Sequence, residues 1–178
     1  HVGGNCTTLA DYRRRYAQYR LDPALQAAHA ASPWITTWDD HEVANDYSGI
    51  YSGRAEDPAV FLRRRAAGYQ AYYENLPLPP TARPVDGGAA LYTSRRIGML
   101  AEIFMLDQRQ YRSAQACPLP GRAGGNRVGD ECAGLRDESR TMLGAAQEAW
   151  LDAGLAQTRG RWNLLAQGTV FSHLDELA

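Results

Sequence analysis

The chain has 178 residues, 44% of them hydrophobic, and a formal net charge of −1, which suits one globular domain. Its 19 basic residues, all arginine, are matched by 20 acidic ones, so no strongly basic surface for nucleic acid is indicated. No stretch is long and apolar enough to span a bilayer, and no leader-like segment opens the chain.

A start at His1 rather than Met reads as a processed, trimmed or excerpted chain. "TTLADYRRRYAQYR" then opens with a helix signal. Thr8 and Asp11 have capping-box spacing, and Leu9, Tyr12, Tyr16 and Tyr19 recur with helical period. The tyrosines read as a packing stripe, and the arginine runs at 13–15 and 63–65 as solvated helix faces. "LDPALQAAHA" starts a second helix with Asp22 as cap and Pro23 in the first helical position. His29 on that helix has no ligand-type partner at helical spacing, so it reads as an ordinary packed or exposed residue.

"PWITTW" is aromatic and β-branched and predicts a strand. It would deliver Asp39, Asp40, His41 and Glu42 to a strand's C-terminal end, where α/β proteins bind ligands. A loop follows, and then "DPAVFLRRRAAGYQAYYENL", a helix begun by Asp57 and Pro58 with Phe61, Tyr69, Tyr72 and Leu76 on one side. "PLPPTARPVDGG" excludes regular structure. "ALYTSRRIGMLAEIFMLD" predicts two strands around Ile97 and Gly98, the second ending at Asp107. Residues 108–142 form a long Gly- and Pro-containing excursion, of a length that tends to be functional or disordered. Within it Cys117 and Cys132 flank a Gly-rich stretch. They read either as a disulfide clamp, implying an oxidising compartment, or as two free thiols, with Cys6 left over. "GAAQEAWLDAGLAQT" predicts an amphipathic helix offering Leu143, Trp150, Leu151 and Leu155 to the core, and "RWNLLAQGTVF" a closing buried strand. The order specifies a mixed α/β layer structure. "SHLDELA" then ends the chain without closing a domain.

Consecutive acidic side chains with an imidazole suit cations. Hard ions take oxygen ligands, and borderline ones accept nitrogen as well. Two cations held roughly 3.5–4 Å apart can bind the attacking and leaving oxygens of a phosphoryl displacement. A neighbouring His can protonate a leaving group or contact a phosphoryl oxygen. A solvated acidic loop is the other reading of the same residues. No CxxC, HExxH, Walker or GxSxG pattern is present, so nucleophilic Ser or Cys catalysis has no support.

"PWITTWDDHEVAND" resembles the WDDHEVANN signature of the PhoD-type alkaline phosphatase/phosphodiesterase family. "RRRAAGYQAYYENLP", "LYTSRRIGMLAEIFMLDQRQYRS", "LGAAQEAWL" and "RWNLLAQGTVFS" follow in that family's order, covering nearly the whole chain. The resemblance implies part of a four-layer αββα calcineurin-like metallophosphoesterase sandwich with a mixed sheet, residues 1–178 forming a single partial domain. It also implies an exported, periplasmic or envelope enzyme. Such an enzyme hydrolyses phosphate mono- and diesters, of small molecules or phospholipids, at alkaline pH with iron and calcium.

Carried over, the signature falls on Asp39, Asp40, His41, Glu42 and Asn45. Asp40 would be a metal ligand with a catalytic role, His41 would contact the substrate phosphate, and Asn45 would ligate calcium. Asp39 and Glu42 would orient these groups or make loop hydrogen bonds. Asp107 and Arg109 fall on the Asp and Arg of the LDTRQYR motif, where Arg109 would either grip phosphate or pair with Asp107. Gln167 falls on the first Gln of the family's last strand, as a metal-side or a structural amide. Asp46 and Gly168 depart from the pattern, the first adding charge and the second leaving the site roomier. The family's remaining metal ligands have no counterpart in the chain, so on its own it would be inactive. A non-catalytic calcium-binding or structural domain of the same fold is the alternative.

Overall fold

Helix starts follow from local chemistry in the computed structural model, which describes residues 3–170. Helix α1, Leu9–Arg20, begins at a completed capping box, with the Thr8 N–H donating to Asp11 Oδ2 over 2.9 Å. Helices α2, Pro23–Ala31, and α3, Pro58–Asn75, each begin with Pro behind a capping Asp; Asp22 Oδ1 accepts from Ala24 N at 2.8 Å and Asp57 Oδ1 from Ala59 N at 2.9 Å. His29 stacks flat on Trp34, ring centres 4.1 Å apart, a packing role. The tyrosine stripe of α1 is graded: Tyr12 is buried, Tyr16 packs against the core edge and Tyr19 is exposed. A bidentate Arg13–Glu74 pair, with contacts of 2.7 and 2.6 Å, ties α1 to α3.

The sheet has three strands in the order β1 (Thr93–Ile97), β2 (Ala101–Met105) and β3 (Trp162–Ala166). β1 and β2 form an antiparallel hairpin pairing Ile97 with Ala101, its turn passing through Gly98 at φ 53°. β3 lies parallel to β2, Ala101 opposite Trp162 and Met105 opposite Ala166, so the sheet is mixed. Helix α4, Ala145–Gln157, crosses between β2 and β3 and lies against Phe104, where Gly154 permits close approach. A Cβ on Gly154 would stand 2.6 Å from Phe104 Cε1, and Trp150 meets the same ring edge-on.

Two strand expectations change. Residues of "PWITTW" form no helix and no backbone ladder among the described residues; a side-chain bond ties them to the end of β2, Thr37 Oγ1 donating to Leu106 O over 2.9 Å. β-branched composition favours an extended backbone, but a strand also needs a neighbour in register. β3 forms where expected, yet Trp162, Leu164 and Leu165 are exposed rather than buried. Apolarity on both faces is the pattern of a strand covered on both sides, and it does not say what supplies the cover. Between α4 and the hairpin, residues 108–142 contain only a 3-10 turn at Ala133–Arg136 and a bridge between Leu119 and Arg122. Cys117 and Cys132 are joined by a disulfide, and Cys6 is free.

The main hydrophobic cluster lies beneath the acidic segment. Trp38, 2% exposed, stacks on Tyr69 at 4.0 Å, and Tyr47, Phe61 and Tyr72 complete an aromatic floor. Burial of several aromatic rings here anchors the chain immediately before and after the charged residues.

Candidate active site

From Trp38 the chain enters a single helical turn in which successive side chains diverge. Val43 N and Ala44 N donate to Asp40 O at 2.9 and 2.8 Å, and Glu42 Oε2 turns back to accept from Asp39 N at 2.8 Å. The Asp40 carboxylate points inward, 4% of the residue exposed, and receives the Asp46 N–H on Oδ2 at 2.5 Å. One residue therefore holds both ends of the loop, its carbonyl at the start and its carboxylate at the close. The loop leaves through Asp46 in a left-handed conformation, φ 57°, a region that Asp tolerates better than most residues. Tyr12 OH donates to Val43 O at 2.5 Å, fixing the turn to α1. Below it Tyr47 OH and Tyr69 OH stand 3.2 Å apart, and burial pushes both phenols up, so they remain neutral in alkaline solution.

Arg109 neutralises the loop from beneath. Its Nε and Nη2 reach Asp39 Oδ1 at 2.8 and 2.7 Å, Nη2 lies 3.5 Å from Asp40 Oδ1, and Nη1 donates to Tyr47 O at 3.4 Å. Burial raises the Asp40 pKa, but the Asp46 N–H and the Arg109 charge outweigh it, leaving the carboxyl below its ordinary range. Arg112 stands in the same field. Burial and the neighbouring Arg109 lower its pKa, against the opposing pull of Asp39, Asp40 and Asp46.

The expected Arg109–Asp107 ion pair does not form. Asp107 is fully buried and accepts backbone N–H groups from Arg109 at 3.0 Å and Gln110 at 2.9 Å, a local turn that its short side chain reaches easily. Its pKa is raised, chiefly by burial. The guanidinium is left to cross to the acidic loop. Gln167 Oε1 accepts from Gln108 Nε2 at 2.5 Å, and Gln108 Oε1 accepts from Thr169 Oγ1 at 2.7 Å, so Gln167 is held as a strand-end amide. Gly168 does not make the site roomier. A Cβ there would lie 2.8 Å from Trp38 O and 3.0 Å from Asp39 Cβ, so the glycine lets the turn after β3 press against the acidic loop.

His41 and Asn45 are the members left facing outward. The His41 side chain is 75% exposed, with Nε2 4.0 Å from Asp40 Oδ1. It borders a cavity of about 490 Å³ between the loop and α1, which Glu42, Asn45, Tyr16 and Arg15 also line. Asn45 is exposed and donates through Nδ2 to the Asp46 carboxylate. The structure thus gathers Asp39, Asp40, Asp46, Arg109 and Arg112 on one side of the turn and His41 on the other, with Asp107 tied instead to its own turn. Gln108 and Arg112 were not singled out from the sequence, although both lie in the same "DQRQYR" run as Asp107 and Arg109. Among the described residues no group of three or more His, Cys, Asp or Glu side chains is placed to hold a metal ion.

Comparison with known proteins agrees with this arrangement of elements. The chain belongs to the PhoD-like phosphatase family, which it matches over residues 2–178. It is 44% identical over 172 residues to alkaline phosphatase D of Bacillus subtilis (strain 168), covering 97% of this chain and 28% of that protein. A solved structure of PhoD superposes with a TM-score of 0.86 at 44% identity, covering 94% of this chain and 31% of that one. The chain therefore spans less than a third of the length of the relatives it matches.

Proposed function

We propose that the parent protein is a metal-dependent hydrolase of phosphate mono- and diesters, and that residues 1–178 form a single partial domain, part of a four-layer αββα catalytic sandwich. The observation that carries this reading is the split within the acidic turn: Asp40 is buried and paired, whereas the adjacent His41 is 75% exposed beside a cavity of about 490 Å³. A purely structural or calcium-holding loop gives no reason for an outward imidazole at that point.

The donors suit hard and borderline cations in kind, a carboxylate from Asp40 and an amide oxygen from Asn45, but Asp40 is paired within the chain and the set is too small, so donors from elsewhere in the parent would be needed to complete it. Iron and calcium are the cations assigned by family. When bound, they would lower the pKa of a water and offset phosphoryl charge. His41 holds or donates a proton at the phosphoryl or leaving-group oxygen. Arg109 keeps Asp39 and Asp40 in place rather than gripping substrate, since three of its nitrogens are engaged within the chain. Glu42 fixes the turn through the Asp39 N–H. Export from the cytoplasm is supported by the Cys117–Cys132 bridge.

The test is metal content and turnover of p-nitrophenyl phosphate and its bis ester at alkaline pH by the parent, wild type beside His41→Ala. The expected result is bound iron and calcium, with turnover lost in the variant while metal and stability are retained. A metal-loaded but inactive parent would favour the structural-calcium alternative, and an unaffected variant would remove His41 from its role.

A further inference from the structure

The Gly-rich loop closed by Cys117–Cys132 is not a free excursion. Ala123 N and Gly124 N both donate to Gly53 O, at 2.9 and 3.2 Å, and Leu119 and Arg122 exchange backbone bonds of 3.0 and 2.9 Å in a tight turn. Glycines of the loop press closely on the acidic turn. A Cβ on Gly124 would lie 2.4 Å from Asp46 O, one on Gly125 2.2 Å from Asp46 Oδ2, and one on Gly53 2.4 Å from Asn45 O. A side chain at 124 would push the loop off the Asp46 backbone, and one at 125 would displace the Asp46 carboxylate from a residue that also has positive φ.

Between them lies a cleft of about 370 Å³ with Asn45 and Asp46 on one side, Gly121, Arg122 and Gly124 on the other, and Arg54 at its edge. Arg54 is exposed and has no hydrogen bond or ion pair among the described residues. Arg122 donates through Nη2 to Gly125 O at 2.5 Å, which holds it in the loop. The one acidic side chain of the cleft, Asp46, already accepts from Asn45 Nδ2. Two guanidinium groups against one partly satisfied carboxylate leave the cleft net positive. Asn45 also lines the cavity beside His41, so the two spaces adjoin at that residue.

We infer that this cleft is a substrate subsite for an anionic group, carboxylate or phosphate, carried on the alcohol portion of the ester, with Arg54 as its specificity-determining residue. The inference rests on the phosphoesterase reading above. An ester whose phosphoryl group lies beside His41 and Asn45 extends its substituent past Asn45 towards Arg54. A planar guanidinium there binds a carboxylate or phosphate through paired hydrogen bonds.

Two measurements on the parent protein, wild type, Arg54→Ala and Arg54→Gln, decide it. The first is the ratio of kcat/KM for 4-carboxyphenyl phosphate to that for phenyl phosphate. The second is the ratio of calorimetric affinities for 4-carboxybenzylphosphonate and benzylphosphonate, which needs no turnover. Loss of one charged hydrogen-bonding partner should lower both ratios about tenfold in the variants. Ratios equal to wild type overturn the subsite, whether because Arg54 is merely solvated or because both ligands suffer alike. If wild type hydrolyses neither these monoesters nor the bis(p-nitrophenyl) ester, the phosphoesterase reading falls, and the phosphonate ratio alone still upholds or overturns the cleft.

Discussion

The acidic turn and strand β3 handle their side chains in opposite ways. Residues 39–46 carry five ionisable groups, and Asp39, Asp40, Glu42 and Asp46 all find partners within the chain. β3 reads "WNLLA", and Trp162, Leu164 and Leu165 stand in solvent. Buried polar groups left without partners are costly, and the carboxylates of the turn are each given one by the chain itself. An exposed apolar strand carries no such local obligation, and contiguous apolar surface of this kind marks an interface more often than a finished exterior. A polar site can therefore be complete in its bonding before the sheet beside it is complete in its packing.

The sharpest way to break that contrast is Arg109→Ala. It strips the buried partner from Asp39 and Asp40, and denaturant unfolding should report a loss of about 4 kcal/mol; a loss below about 1 kcal/mol, the range of surface pairs, would mean the turn is held by backbone bonds alone. Next is Gly125→Ala, which puts a Cβ against Asp46 Oδ2 at a residue with φ +64°. A cost of about 2 kcal/mol is expected from overpacking, and a neutral result would show the disulfide loop resting loosely on the turn.

Acid should act more gently on the same region. Asp40 is held below its ordinary pKa of 3.8, so the folded chain keeps its carboxylate charged where the unfolded chain begins to bind a proton. That stabilisation is fully present above the unfolded pKa and is lost as pH falls through the lowered folded value. Stability measured against pH should steepen there in wild type and less so in Arg109→Met; superimposable curves would remove Arg109 as a cause. The smallest effect should come from β3. Leu164→Ser on this span is expected to change stability by no more than about 0.5 kcal/mol, as at surface positions. A core-sized loss of about 2 kcal/mol or more would mean that the strand is covered after all.

Which parts were legible in the sequence follows the same division between local and distant. The Thr8–Asp11 box and the Asp22–Pro23 and Asp57–Pro58 starts are complete within a few residues, and the helices begin where those residues stand. The family was legible because its motifs recur in order along the chain. The run before Trp38 has the composition of a strand but no ladder among the described residues, because a ladder depends on a neighbour that composition does not name. For Arg109 the sequence offers phosphate or Asp107, two positions away, whereas its partner Asp39 lies 70 residues back. The need for glycine at 124 and 168 is likewise set by backbone from distant segments, Asp46 O and Trp38 O, and single-sequence reading has no view of such approaches.

Gln147 shows how far a distant contact can replace a local one. Buried at 1% exposure, its Oε1 accepts from Asp107 N at 2.9 Å and its Nε2 donates to Asp107 O at 2.8 Å. A primary amide presents the same donor and acceptor as a peptide unit. A helix side chain thus supplies one rung just beyond β2, at the residue that leads into Arg109. The rung works as a latch. Because Gln147 also donates to Leu143 O at 2.9 Å, the first turn of α4 and the path to the acidic turn are set by one side chain, and neither can shift without carrying the other.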